Sequence, residues 1–401
     1  MTQDLVIVGG ARTPMAEYSG TPGFGKLKNI SAIDLAVHAT KAALERAGVS
    51  ADAIDHVVIG NALQTSADAI YGARHVGLKA GTPQSSGGLT VNRLCGSGIQ
   101  SVISAAHMLM SGESQMAIAG GMENMSQAPH VLRGGRDGFR FGAQTQLEDS
   151  LFSSLLDPNV KLFMAQTAEK IATRLSITRE EQDEYALRSH QLGAAAVASG
   201  RFAEEIAPVT IPSRRGDTVV DTDDHIRPDT TLEGLAKLRP AFGKEGTVTA
   251  GNASGIVDGA ASLVVTTADR AKADGLTVMA TIKGWGVVGC DPTEMGIGPV
   301  PAIRQCLERT GVKLDELDRI EINEAFSAQY LGCEKELGLD RDKVNVNGGA
   351  ISLGHPLGAT GTRLLLTLMY ELRRESLRYG MASACIGGGQ GIAMLIENPD
   401  A

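Results

Sequence analysis

Residues 43–62, ALERAGVSADAIDHVVIGNA, and residues 306–325, CLERTGVKLDELDRIEINEA, follow one plan. Each gives the end of an amphipathic helix, a glycine stop, a short acidic turn and an apolar β-run. The likeness continues more loosely. TVNRLCGSG at 90–98 answers NVNGGAISLGHPLGATG at 345–361, and QMAIAGGMENM at 115–125 answers GMASACIGGGQGIAML at 380–395. A repeat of this kind restricts the fold strongly, because one unit has to be built twice. The simplest solution is an α/β protein made of two βα-rich copies, each with its own sheet covered by helices. The functional loops of both copies are then expected at the C-terminal ends of strands, where open α/β sheets place their ligands. A pseudo-two-fold pairing brings those loops together over one cleft.

Between the copies, residues 126–250 have a different character, with charged stretches such as RGGRDGFRFG and PSRRGDTVVDTDDHIRPDT. One clear helix is expected there, over 178–199, with acidic residues in its first turn and apolar residues at helical spacing. The reading is therefore a first half formed by 1–125 and about 251–275, an inserted loop domain at 126–250 covering the cleft, and a second half at 276–401. The β-run SLVVTTA at 262–268 returns the chain to the first half.

A formal charge of −9 leaves no basic surplus for neutralising phosphates, which argues against nucleic-acid binding but not against a phosphorylated ligand held by a few arginines. No apolar run approaches the roughly 18 residues needed to cross a bilayer, and MTQDLVIVGGARTP does not read as a signal peptide. Five cysteines (Cys95, Cys290, Cys306, Cys333, Cys385) are widely spaced and form no CxxC pair. That pattern suits free thiols in a reducing compartment, with cytoplasm as the expectation, and no metal site.

Cys95 stands where a β-branched run gives way to a helical one, in a turn expected to be made permissive by Gly96 and Gly98. A thiol at a helix N-terminus is expected to have a lowered pKa and so to be reactive. The second copy offers Asn323 and Glu324 directly after a β-run, His355 between Gly354 and Pro356, and Cys385 at a strand end before three glycines. Two thiols, an imidazole and a carboxamide on loops of one topological kind suit acyl transfer. A cysteine activated by histidine attacks a thioester carbonyl, a second cysteine serves as acid and base, and glycine-flanked N–H groups receive the oxyanion. Taken singly, each residue has a plainer reading: Cys95 as a packing thiol, His355 as a turn histidine, Asn323 as a helix N-cap, Arg227 as a solvated side chain.

RLCGSGIQS, GGMENMS, GNASG, NEAF, NVNGGAISLGHPLGATG and CIGGGQG together resemble the thiolases, in the family's order and over essentially the whole chain. DAIYGARHVGL, MSQAPH and GCDPTEMGIGPVPA are most similar to the mitochondrial-type 3-ketoacyl-CoA thiolases and their bacterial relatives. The resemblance implies the thiolase fold, two βαβαβαββ-type halves layered αβαβα with an inserted loop domain. It implies Cys95 as the acylated nucleophile, His355 as its activator and Cys385 as the acid/base. It implies Asn323 as the holder of a water in one oxyanion hole, and the N–H groups of Cys95 and Gly387 as the other. Coenzyme A and its acyl thioesters are implied as substrates, with no bound cofactor. Ser254 and Met164 match pantetheine-contacting positions, Arg227 and Phe242 match groups near the nucleotide, and Phe326 and Met295 are implied as further CoA-binding residues. A homo-oligomer, a dimer of dimers, is implied as well.

Two positions depart from the pattern. Phe163 stands where many biosynthetic members have a histidine touching pantetheine, which favours the degradative or broad-range branch. Val257 stands where a polar residue is expected. Two alternatives are a ketoacyl synthase-like condensing enzyme, which relies on histidines where this chain has Cys385, and a non-catalytic CoA- or lipid-binding relative, which would have lost one of the four residues. A papain-type hydrolase would need neither the duplication nor a second loop cysteine.

Overall fold

The computed structural model describes residues 4–214, 216–243 and 245–401. The first half runs β1 (Leu5–Arg12), α1 (Ala32–Ala47), β2 (His56–Gly60), α2 (Gly72–Ala80), β3 (Gly87–Val91), α3 (Ser97–Ser111) and β4 (Met116–Glu123). It is completed by β5 (Val257–Thr267), which follows the intervening segment and pairs antiparallel with both β1 and β4. That segment holds α4 (Met164–Leu175) and α5 (Arg179–Ala198). The second half repeats the order with β6 (Ala280–Gly289), α6 (Pro299–Thr310), β7 (Arg319–Ile322), α7 (Ser327–Leu337), α8 (Leu357–Arg374), β8 (Tyr379–Ile386) and β9 (Gln390–Glu397).

The repeat is physical at its boundaries. Helix α1 stops at Gly48 (φ 65°) and α6 at Gly311 (φ 72°), left-handed positions that suit glycine and end each helix in the same way. A single 3₁₀ turn follows each stop, and then a strand parallel to its neighbour: β2 to β4, β7 to β8. The counterpart of β3 is reduced to one parallel bridge, Ile320 to Val344.

The strand order is β7-β8-β9-β6-β1-β5-β4-β2-β3, with a two-residue strand at Ala16–Glu17 on β5 completing ten strands. The two halves therefore do not keep separate sheets. They join where Leu5, Val6 and Ile7 pair with Ile282, Thr281 and Ala280. Helices α3 and α8 lie between the two halves, α1 and α2 cover one outer face, and α6 and α7 the other, which is the αβαβα layering. Their burial follows from this placement. Helix α8 is buried nearly all round, because it has sheet on both sides and α3 beside it.

The segment between the halves is more than a cover. Helix α5 matches the expected helix and starts at a Thr178 N-cap. Helix α4 has no side-chain cap at Phe163 and contributes Ala165, Ala168 and Ile171 to one core with Ile303, Ile320 and Tyr330 of the second half. Arg12 of β1 is fully buried, with Nε on Glu205 at 2.7 Å and Nη1 on Asp223 at 2.7 Å, tying the segment to the first half.

Candidate active site

Cys95 lies in the 3₁₀ turn Leu94–Gly96, between β3 and the first residue of α3. The expectation that Gly96 and Gly98 relax this turn is corrected, because neither has a positive φ and the left-handed residue is Leu94 at φ 46°. The glycines serve close approach instead. A Cβ on Gly96 would stand 2.5 Å from Ile386 Cδ1, beside Cys385, and one on Gly98 would sit 2.9 Å from Gly361 Cα of α8. The contact of α3 with α8 at Gly98 and Gly361 brings the Cys95 turn beside the His355 turn, and Cys95 packs with Leu357.

The residue Cys95 is part-exposed, but its thiol is enclosed, and burial pushes it up to about 11. This overturns the expectation of a lowered pKa: the desolvation of a buried sulfur outweighs the helix end. The backbone N–H groups of Gly387 and of Cys95 itself oppose the shift, since both face the sulfur and favour negative charge there. Cys385, near the end of β8, is completely buried and its thiol is raised well above the ordinary range, by burial first and then by the proximity of Cys95.

His355 follows the left-handed Gly354 (φ 92°) and precedes α8. Its N–H donates to Gly255 O at 2.9 Å. A Cβ on Gly354 would collide with Val257, so this valine is the apolar floor of the histidine turn, which accounts for the unexpected residue there. Asn323 Nδ2 lies 3.3 Å from His355 Nε2, and His355 Nδ1 lies 2.6 Å from Thr360 Oγ1. With Asn323 donating to Nε2, the ring proton sits on Nδ1 and donates to Thr360. Burial, then the nearby Arg363, lowers the imidazole to about 3, so it is neutral.

Asn323 is not an N-cap: its N–H donates to Ser383 O at 2.9 Å, and α7 begins only at Ser327. Its buried Oδ1 has no partner among the described residues, which fits a polar ligand or a water at this point. Next to it, Glu324 accepts from Tyr185 Oη (2.7 Å), Ser189 Oγ (2.8 Å), Asn345 Nδ2 (2.9 Å) and Ile351 N (3.1 Å). Glu324 is thus an internal brace for the NEAF loop. The loop carrying Ser254 is stitched in by Ser254 N to Ala325 O at 3.0 Å.

A cleft of about 380 Å³ opens onto His355. Met164, Phe242, Ser254 and Phe326 line it, and so does Phe163, stacked on Phe242 with ring centroids 4.9 Å apart. Met295 is buried with Ala325 and Cys385 behind that wall. Arg227 stands outside the lining: its guanidinium lies 4.7 Å over the Phe24 ring and also pairs with Glu17. Among the residues that sequence reasoning passed over, Tyr18, Leu151 and Leu357 make the wall apolar, and Glu17 and His225 add the polar end. Cys306 and Cys333 are buried elsewhere, with thiols pushed to about 12.

A duplicated α/β fold with a neutral imidazole on an apolar cleft, and two buried thiols packed against residues that line it, is an arrangement suited to acyl transfer. Residues 5–269 match the profile of the thiolase N-terminal domain and residues 276–398 that of the thiolase C-terminal domain. The chain belongs to the thiolase family. It is 48% identical over 398 residues to the mitochondrial 3-ketoacyl-CoA thiolase of Homo sapiens, covering 99% of each chain. It is 47% identical to an acetyl-CoA acetyltransferase of Cupriavidus necator, covering 98% of this chain and 99% of that one. The solved structure of the human mitochondrial enzyme in complex with CoA superposes with a TM-score of 0.96, covering 99% of this chain and 98% of that one. The acetyl-CoA acetyltransferase structure from Bacillus anthracis gives 0.95 at 45% identity, covering 99% of both. These matches carry the thiolase reading and not the ketoacyl-synthase or non-catalytic alternatives.

Proposed function

We propose that this protein cleaves 3-ketoacyl-CoA with free CoA, giving acetyl-CoA and an acyl-CoA two carbons shorter, and runs the reverse condensation of two acetyl-CoA. In the cleavage direction Cys95 attacks the 3-keto carbon as its proton passes to His355. The oxyanion is received by the N–H groups of Cys95 and Gly387. The C2–C3 bond then breaks, and the electron pair left on C2 takes a proton from Cys385. The departing enolate is steadied at its thioester oxygen by His355 and by a water on Asn323. Free CoA next gives its thiol proton to Cys385 and attacks the acyl-Cys95 thioester. Acyl-CoA leaves, and His355 returns its proton to the Cys95 sulfur. The observation that carries this reading is His355, held between Asn323 Nδ2 at 3.3 Å and Thr360 Oγ1 at 2.6 Å where the cleft opens onto it.

Ser254, Met164, Phe326 and Met295 would position the pantetheine arm, and Arg227 and Phe242 the nucleotide end. The apolar wall at Phe163, Leu151 and Leu357 favours acyl chains longer than acetyl and a degradative role in fatty-acid β-oxidation. The cytoplasm, or the mitochondrial matrix in a eukaryote, is the compartment these properties suit, and a homotetramer is the assembly. Steady-state thiolysis of a 3-ketoacyl-CoA series from four to sixteen carbons tests the reading. The expected result is a maximum above four carbons. Absence of thiolysis at every length would overturn it.

A further inference from the structure

Helix α5 belongs to the segment between the halves, yet one of its faces meets the chain just ahead of His355. Tyr185, Ser189 and Gly193 stand four residues apart in turn, so they share that face. Ser189 Oγ donates to Glu324 Oε2 at 2.8 Å, accepts from Gly349 N at 3.2 Å and lies 3.1 Å from Ser352 Oγ. A Cβ on Gly193 would stand 2.9 Å from Ser352 Oγ, and one on Gly348, at φ 81°, 2.8 Å from Ser189 O. Residues 348–352 therefore rest directly on α5.

Glu324 is the centre of this contact. It is fully buried, and its four donors come from three places: Tyr185 and Ser189 on α5, Asn345 beyond β7, and Ile351 ahead of His355. A Cβ on Gly349 would collide with its carboxyl group, so the backbone there lies against it. A carboxyl group with four hydrogen-bond partners, all out of water, makes a stiff junction. The chain from Gly349 to His355 transmits that position. Ala350–Leu353 is a single turn of helix, closed by Leu353 N to Gly349 O at 2.8 Å and Gly354 N to Ala350 O at 2.9 Å. Asn323 is held separately, by its N–H on Ser383 O of β8. The 3.3 Å separation of Asn323 Nδ2 and His355 Nε2 thus spans two arms, with Glu324 joined to both. Beyond His355, Gly358 N donates to Glu123 Oε2 at 2.8 Å, which anchors the far end of the turn to the first half.

Resting on the thiolase reading of Asn323 and His355, we infer that Glu324 is a positioning residue through which α5 sets His355 against Asn323. Tyr185 and Ser189 act through its carboxyl group. The two groups that steady the thioester oxygen are thereby held at their separation before any substrate enters. The segment that supplies Phe163 and Met164 to the cleft wall also aligns the chemistry.

Steady-state thiolysis of 3-ketooctanoyl-CoA by the full chain, with kcat and the KM for CoA taken separately and Tm measured alongside, tests this. A displacement of about 1 Å at a catalytic group costs on the order of a hundredfold in rate, so Glu324→Gln should lower kcat by about that much. Its KM for CoA should stay within about twofold of the wild type, because uniform binding is untouched. Tyr185→Phe and Ser189→Ala each delete one donor hydroxyl and keep the carboxyl group, and each should lower kcat about tenfold. They carry the test if Glu324→Gln does not fold. Thr178→Ala removes the N-cap of α5, so it should lower Tm and leave kcat unchanged. An unchanged kcat in folded Glu324→Gln or in both hydroxyl variants would overturn the inference. So would a loss that falls on KM, or an equal loss of kcat in Thr178→Ala. Absence of thiolysis by the wild type at every chain length would instead overturn the thiolase reading.

Discussion

At Cys95 two opposed influences meet, and their sizes decide the chemistry. The helix N-terminus favours the thiolate by a few tenths of a kcal/mol to about 1 kcal/mol, whereas desolvation of a buried group shifts a pKa by several units. Burial wins, and the thiol sits at about 11. His355 is moved the other way, down to about 3 from its ordinary 6.5, so the imidazole is already a base well below neutrality. Acetylation of Cys95 by acetyl-CoA should therefore show no acid limb near pH 6.5 and stay level down to about pH 5. A limb centred near 6.5 in single-turnover rates would show that the imidazole titrates freely. The same shift has a stability consequence. A histidine whose folded pKa is depressed contributes stability that is present above its unfolded value and is lost as pH falls from about 6.5 towards 3. His355→Gln should accordingly be less sensitive to acid unfolding than the wild type, followed by circular dichroism between pH 6.5 and 4.

At the scale of elements, the site depends on how closely α3 and α8 approach. Gly98 and Gly361 leave no room between the two backbones. Gly98→Ala should cost about 1–3 kcal/mol by overpacking and should depress turnover further by parting Cys95 from His355. Urea unfolding together with kcat would check both effects. The repeat was legible because helix stops, turns and strands are written locally. Gly48 and Gly311 end their helices in both copies; of the four residues His355 lines the cleft, while Cys95 and Cys385 belong to packing clusters that share Leu151, Leu357, Met164 and Phe326 with its lining. What was not legible depended on distant contacts. Helix α4 starts after Phe163, whose side chain cannot cap, and only Gln166 marks the boundary by accepting from Phe163 N at 2.8 Å. Arg363 is buried because α8 has strands of the one sheet on both sides, a fact no local window contains. Glycines 96 and 98 were recognised as important, yet their reason lay in Ile386 and Gly361, far along the chain.

Across the whole molecule, one continuous ladder and one buried ion cluster hold the halves and the inserted segment as a unit. Arg12 satisfies Glu205 and Asp223, and Asp223 also accepts from Met15 N at 2.7 Å. Arg12→Met leaves two carboxylates in the interior and should destabilise the protein by about 3–5 kcal/mol, visible as a lowered Tm. If the assembly is the proposed tetramer, light scattering on a sizing column should give about four times the 41.9 kDa chain mass. The central claim is that Cys95 carries the acyl group, and intact mass after brief exposure to acetyl-CoA addresses it most directly. The account predicts a gain of one acetyl group in the wild type, reversed by free CoA, and none in Cys95→Ala. A gain that persists in Cys95→Ala, or no gain in the wild type, would contradict it.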